Sequence, residues 1–331
     1  MSVYGTVRGG RGRVTALTVR RMGWEFDATV PFQWNPANPQ FAMGMNFLSF
    51  VAPAFERFVV SSVRAAMEVI DDPAALAEAD AFLRQEALHA RAHRAHTSAL
   101  VEKYPGLKQV LVEFDRRFDE MEASSSLAYQ LAYTADIEAT FTPFFNLILR
   151  HRGTFFEGGD DRVASLLLWH FSEEIEHRSS AQIVYDAVVP SPWFRLRVAP
   201  SVFGHLFGCL NHFFRAVDEI VPFEDRGMDA ADMVFDRSLP RRALARDKPQ
   251  LPPHFGGVPR REIAVMVARL VRSQAPGHSP ADEVTPPFAD AWFAAYEAGE
   301  DVRHWYGSVE QAHRAPLGPG GTTNRPTGST T

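Results

Sequence analysis

The sequence predicts an all-α protein built around a four-helix bundle, with an N-terminal arm before it and further helices after it. Three observations carry that expectation. From about residue 44 to 224, apolar residues recur at helical spacing and no strand-like alternation competes. The breaks in that pattern fall at turn-forming stretches: DDP (71–73), YPG (104–106), RGTFFEGGDD (152–161) and VPSPW (189–193). Four of the segments so bounded carry a carboxylate in the middle of an otherwise apolar stripe.

Residues 1–40 are rich in Gly, Pro, Arg and aromatic side chains. Within them VTALTV and WEFDATV read as short strands and NPANPQ as a turn-rich connector, so this stretch is expected to pack as an arm on a core. In the segment 49–70, alternating steps of four and three select Ala52, Glu56, Val59, Val63, Ala66 and Ile70, with Glu56 the one charge. The segment 76–103 turns Phe82, Leu83, Glu86, His89, Ala90, His93, Thr97 and Leu100 inward and Asp80, Arg84, Arg91 and Arg94 outward. In 127–148 the ladder is Leu131, Thr134, Glu138, Phe141, Phe145 and Ile148. Residues 163–188 read as a single helix with Val163, Leu167, His170, Glu174, His177, Ala181, Val184 and Val188 on one face. Its other side, Arg162, Ser165, Ser172, Glu173, Glu176, Ser179 and Ser180, has the composition of a solvated face.

The uncharged run 198–214 is shorter than the roughly 20 residues of a spanning helix and contains Pro200, His205, Asn211 and His212. It is expected as a buried core helix, with weak surface association with a membrane, or a place in an apolar substrate wall, as the alternative. Helical segments follow at 260–273 and 287–298, and the tail from Pro316 is expected to be disordered. The expected divisions are an arm at 1–40, a metal-bearing bundle at 41–275, a helical extension at 276–315 and the tail at 316–331.

The 331 residues carry 34 Lys and Arg against 40 Asp and Glu, a net charge of −6, without a basic cluster of the kind nucleic acid requires. A single cysteine, Cys209, excludes an internal disulfide and a thiolate metal site. It fits a reducing compartment, and the opening MSVYGTVRGGRGRV lacks the apolar segment of a secretory signal, so a cytoplasmic location is expected.

Burying an isolated carboxylate costs several kcal/mol, or the group protonates. Four helices that each centre a carboxylate in an apolar stripe therefore call for cations. The chain order is Glu56, then Glu86-x-x-His89, then Glu138, then Glu174-x-x-His177, a pattern that resembles the ferritin-like di-metal carboxylate bundles. Two divalent ions would balance four carboxylates. Mixed carboxylate and imidazole donors favour iron or manganese and permit zinc. Glu86 and Glu174 are the expected bridging ligands and Glu56 and Glu138 the terminal ones, all four shifting mode during catalysis.

With 55-FERF-58, 84-RQEALH-89 and 173-EEIEH-177 the chain is similar to the family catalogued as predicted metal-dependent hydrolases, over roughly residues 30 to 275, although Arg178 stands where a Lys is expected. The ligand set also resembles that of di-iron arylamine N-oxygenases, which add a third histidine one turn before the last Glu. His170 occupies that place here. The resemblance makes His170 a seventh ligand, with a buried histidine supporting the site as the alternative. His93, one turn beyond His89, is expected beside the ligands rather than among them.

Together these features imply a di-iron enzyme that activates O2 to oxidise a small apolar or aromatic molecule, with Phe141, Phe144 and Phe145 lining its pocket. No glycine motif for a flavin or nicotinamide is present, so an external electron donor, a reductase or a ferredoxin, is implied. The alternative is a di-metal hydrolase of an ester or amide. Iron storage is a third reading, disfavoured by the long segments outside the bundle. A homodimer is compatible with the sequence.

Overall fold

The computed structural model describes residues 17–234 and 255–304. The chain forms α1 (Pro39–Met67), α2 (Pro73–Lys103), α3 (Lys108–Ser124), α4 (Leu127–Arg150), α5 (Arg152–Phe156), α6 (Asp161–Glu176), α7 (Ser180–Val188), α8 (Pro192–Ile220) and α9 (Phe223–Arg226), followed by α10 (Arg260–Ser273) and α11 (Pro287–Glu297). The fold is all-α, without a strand among the described residues.

Local chemistry sets the helix starts. Asn38 caps α1 by accepting from the Phe41 amide, Asp72 caps α2 from Ala74, Ser126 caps α4 from Tyr129, and Asp160 caps α6 from Arg162 and Val163. Pro39, Pro73 and Pro192 open α1, α2 and α8, where a missing amide proton costs nothing. The bundle consists of α1 packed along α2, α4 packed on α6 and α7, and the two pairs joined through α1 with α4 and α2 with α7. Outside it, α3 covers α1 and α8 crosses α4, while α10 and α11 lie on α4 and α6.

Four expectations change. The strands read in VTALTV and WEFDATV are absent from 17–30, which run as irregular chain held against the bundle; residues 14–16 and the tail from 316 lie outside the described residues. The segment 163–188 is two helices. α6 ends at Glu176, His177 takes φ −91° and ψ 12°, and α7 starts at Ser180. The supposed solvated face of that segment is also largely buried: Ser165, Ser172 and Glu173 lie inside on α6, which α11 and the arm cover, and Ser180 lies inside against α2, where it donates to Glu78. Finally, the run 198–214 sits in α8 and is buried on one face only: Val202, Cys209, Phe213 and Phe214 face the core, whereas Phe207 is 42% exposed. Among the described residues no helix is long and apolar enough to cross a membrane.

Candidate metal centre

Each inward carboxylate and imidazole arrives from its own part of the bundle. Glu56 comes from α1, Glu86 and His89 from α2, Glu138 from α4, His170 and Glu174 from α6, and His177 from the residue just after it. All seven are 3% exposed or less. Spacing explains the convergence within each helix, since steps of three or four stack side chains on one face. The break after Glu176 does not remove His177 from the cluster, because its own amide still bonds the Glu173 carbonyl as a last helical turn would.

Glu174 lies at the middle. Its Oε1 is 2.8 Å from His170 Nε2 and 3.4 Å from His89 Nδ1, and its Oε2 is 3.0 Å from His177 Nε2. Glu86 Oε1 also spans two imidazoles, 3.6 Å from His89 Nδ1 and 3.3 Å from His177 Nε2. Glu56 Oε1 lies 3.6 Å from His170 Nε2 and Glu138 Oε2 3.7 Å from His177 Nε2. Donor atoms of Glu86, Glu174 and His177, and of three further overlapping trios, lie within 4.8 Å of one another. One of those trios is Glu56, His93 and His170.

These donors fit metal ions. Glu56 Oε2, Glu86 Oε1, Glu138 Oε1 and His89 Nδ1 are buried with no hydrogen-bond partner, which a folded core tolerates only with a compensating group. Charge tells the same story. Burial raises the Glu56 carboxyl well above its ordinary range, with Glu86 adding repulsion; burial and Glu174 likewise raise Glu86 and Glu138. Burial opposes charge on His89 and His177, yet neighbouring carboxylates hold both imidazoliums well above their usual value. Burial likewise opposes ionisation of Glu174, but His177 and His170 keep it far below the carboxylate range. Without cations, then, Glu56, Glu86, Glu138, His89 and His177 favour protonated forms, and metal binding would displace those protons.

Three residues missed by the sequence reading aim the imidazoles. His89 Nε2 is 3.0 Å from Glu173 Oε2, so its Nδ1 faces the cluster. His177 Nδ1 is 2.9 Å from Gln85 Oε1, so its Nε2 faces the cluster. Arg20, from the arm, donates to Glu173 at 3.1 Å and to both oxygens of Glu176 at 2.7 and 2.9 Å. Gln85 was visible beside Glu86 in the RQE motif, but Glu173 was assigned to water, and nothing local announces Arg20. An imidazole whose second nitrogen is held by a carboxylate or carbonyl is a stronger and better oriented ligand.

His170 is held in the same way from behind. Its Nδ1 lies 2.7 Å from His93 Nε2, and His93 Nδ1 lies 3.0 Å from Ser49 Oγ, which also meets His96 Nδ1 at 3.1 Å. Burial, with His89 adding to it, lowers His170 to about 4, and burial alone leads the lowering of His96 to about 4. Neutral imidazoles are the form that ligates metal or passes a hydrogen bond along a chain.

A cavity of about 630 Å3 opens onto this cluster, reaching Glu56, Glu86, His170 and Glu174. Phe141, Phe144 and Phe145 line it, joined by Phe47, Phe55 and Phe118 and by Leu206, Phe207 and Leu210 of α8. Its walls are overwhelmingly apolar, which suits a substrate with little charge.

The model of the family described as predicted metal-dependent hydrolases matches residues 18–245, and the chain belongs to that family. Neither the curated proteins nor the solved structures contain a match to it.

Proposed function

We propose that this chain is a di-metal enzyme, with iron in both positions, that uses O2 to oxidise a small apolar or aromatic substrate. The observation that carries this reading is the direct opening of an aromatic, nearly uncharged cavity onto four of the clustered donors. Such a wall can orient a hydrocarbon or an arene by shape alone.

In this reading Glu86 and Glu174 would hold both ions between them, and Glu56 and Glu138 would each hold one. The support is that the oxygens of Glu174 divide between His170 and His89 on one side and His177 on the other. His89 would offer Nδ1, and His177 and His170 Nε2, to the ions, with His93 supporting His170. When bound, the ions supply the redox chemistry that reduces O2 with electrons from an external donor. The protein residues orient the donors, exclude water from the aromatic cavity and hold the substrate against Glu56 and Glu174.

Hydrolysis is the second reading, and the family description favours it. There Glu56 or Glu138 would take a proton from the attacking water, and bound ions would supply the Lewis acidity that activates an ester or amide carbonyl. One comparison separates the two. Iron-loaded, chemically reduced protein is mixed with O2 under optical and Mössbauer observation, and zinc-loaded protein is assayed on apolar esters and amides. Oxygen consumption with oxidation of the iron pair, and inert zinc protein, is expected. Turnover of an ester by the zinc form, with no O2 uptake by the iron form, overturns the oxidative assignment.

A further inference from the structure

The arm approaches the metal cluster through aromatic rings as well as through Arg20. Trp169, on α6, is fully buried, and its ring centroid is 4.9 Å from that of His89 with the planes at 82°. Trp24, in the arm, lies 5.6 Å from Trp169 with the planes at 45°. Both separations fall in the range of direct aromatic contact. The three rings thus run without interruption from the half-buried arm to a donor of the cluster.

Two features set this line apart from ordinary packing. A buried indole normally finds a hydrogen-bond acceptor, yet neither Trp24 Nε1 nor Trp169 Nε1 has one. The line also avoids the substrate cavity, whose walls include His170 and Glu174 but not His89, Trp169 or Trp24. Trp24 is held in place from both sides. Arg20 anchors the arm to Glu173 and Glu176 while stacking 4.3 Å over Phe293 of α11, and Arg303 donates to the Gly23 carbonyl at 3.2 Å.

We infer that Trp24 and Trp169 form an electron path between the protein surface and His89. The inference rests on the oxidative reading. Conversion of R–H to R–OH by O2 breaks the C–H and O–O bonds, forms C–O and O–H bonds, and releases one water. It consumes two electrons and two protons beyond those of the substrate. The donor delivers the electrons singly through the overlapping rings, while the substrate occupies the separate cavity. With O2 but with neither substrate nor donor, the path runs in reverse: O2 takes two electrons from the reduced iron pair and two, one at a time, from Trp24 through Trp169, and with four protons becomes two waters, while one water adds to the oxidised Trp24 ring with loss of two protons to leave a hydroxyindole.

This reverse flow provides the test. Reduced, iron-loaded full-length protein is exposed to O2 without substrate or donor, O2 uptake is followed, and oxygenated tryptophan is mapped by peptide mass spectrometry. Trp193, 66% exposed and remote from the path in sequence, is the internal reference for damage by diffusing oxidants. Oxygenation is expected to concentrate at Trp24 above the level at Trp193. In Trp169→Phe, which keeps a ring in the core but one far harder to oxidise, it is expected to fall to that level with iron content unchanged. Oxygen uptake with Trp24 no more modified than Trp193, or with Trp24 equally modified in Trp169→Phe, overturns the path and leaves the oxidative reading standing. No O2 uptake at all overturns both.

Discussion

Replacing Glu173 by Ala tests how the imidazole of His89 is aimed. Glu173 is completely buried and touches two groups, His89 Nε2 at 3.0 Å and Arg20 Nη1 at 3.1 Å. Deleting its carboxylate leaves Arg20 paired with Glu176, so the arm keeps its anchor, but His89 loses the acceptor that reserves Nδ1 for the cluster. None of the seven inward donors is removed. The protein should still take up both ions, with affinity weakened by about 10–100-fold, the range for an outer partner of a ligating histidine. At 1.4 kcal/mol per tenfold this is about 1.4–2.8 kcal/mol. Glu173→Gln, which retains an acceptor oxygen, should fall between wild type and Glu173→Ala, and Glu176→Ala should change affinity least because it contacts no donor of the cluster. Competition against a chelator of known affinity measures these values, and circular dichroism checks that each variant is folded. Metal affinity unchanged in Glu173→Ala would refute the argument that this carboxylate orients His89.

Other perturbations report on the donors themselves. Glu86→Ala and Glu174→Ala should each lose most bound metal, because each carboxylate reaches imidazoles on both sides of the cluster; metal-to-protein ratios near those of wild type would contradict the bridging assignment. His170→Ala should retain both ions on the six remaining donors while turnover falls by more than metal affinity does, and a parallel fall in both would return His170 to a supporting role. Chelation should lower the melting temperature by about 5 °C or more, taking about 2.7 kcal/mol of linkage at a hundredfold excess of free metal over Kd and about 2–4 °C per kcal/mol. The gap should depend on pH with a definite sign. In the metal-free protein Glu56, Glu86, Glu138, His89 and His177 all have raised pKa values, so the native state binds more protons than the unfolded chain and its stability falls as pH rises through their folded values. Glu174 acts oppositely, adding stability above the unfolded carboxylate range and losing it only as pH drops through its depressed folded value. Metal must displace the same protons, so affinity should rise from about pH 6 to pH 8 and the difference in melting between loaded and chelated protein should widen. A difference independent of pH would show that the donors are already deprotonated.

The sequence by itself determined the elements and the inward residues, because both depend on chemistry local to each helix. Apolar stripes at steps of three and four marked the faces carrying Glu56, Glu86, His89, Glu138, His170 and Glu174, and the structure brings these faces together, Glu138 through its contact with His177. Pro39, Pro73 and the capping Asp72, Ser126 and Asp160 set helix starts that any chain of this composition would favour. The helix end at Glu176 escaped that reading, since Ala181, Val184 and Val188 continue the stripe pattern and only packing of α7 on α2 and α4 favours the turn at His177.

What tertiary structure alone decided is what lies on the far side of each helix. A helical wheel fixes the angle of a side chain about its own axis and contains nothing about covering elements distant in the chain. Glu173 points away from the bundle interior, as the wheel placed it, yet meets no water because Arg20 from the arm and the α11 aromatics close over it. The same covering converts an outward carboxylate into the partner of His89, which reaches across from α2. The cavity beneath Phe207 and the ring contacts of Trp24 with Trp169 likewise join residues 100 or more positions apart. Such contacts arise from the burial of whole surfaces, a collective free energy spread over many residues, and so no single stretch of sequence records them.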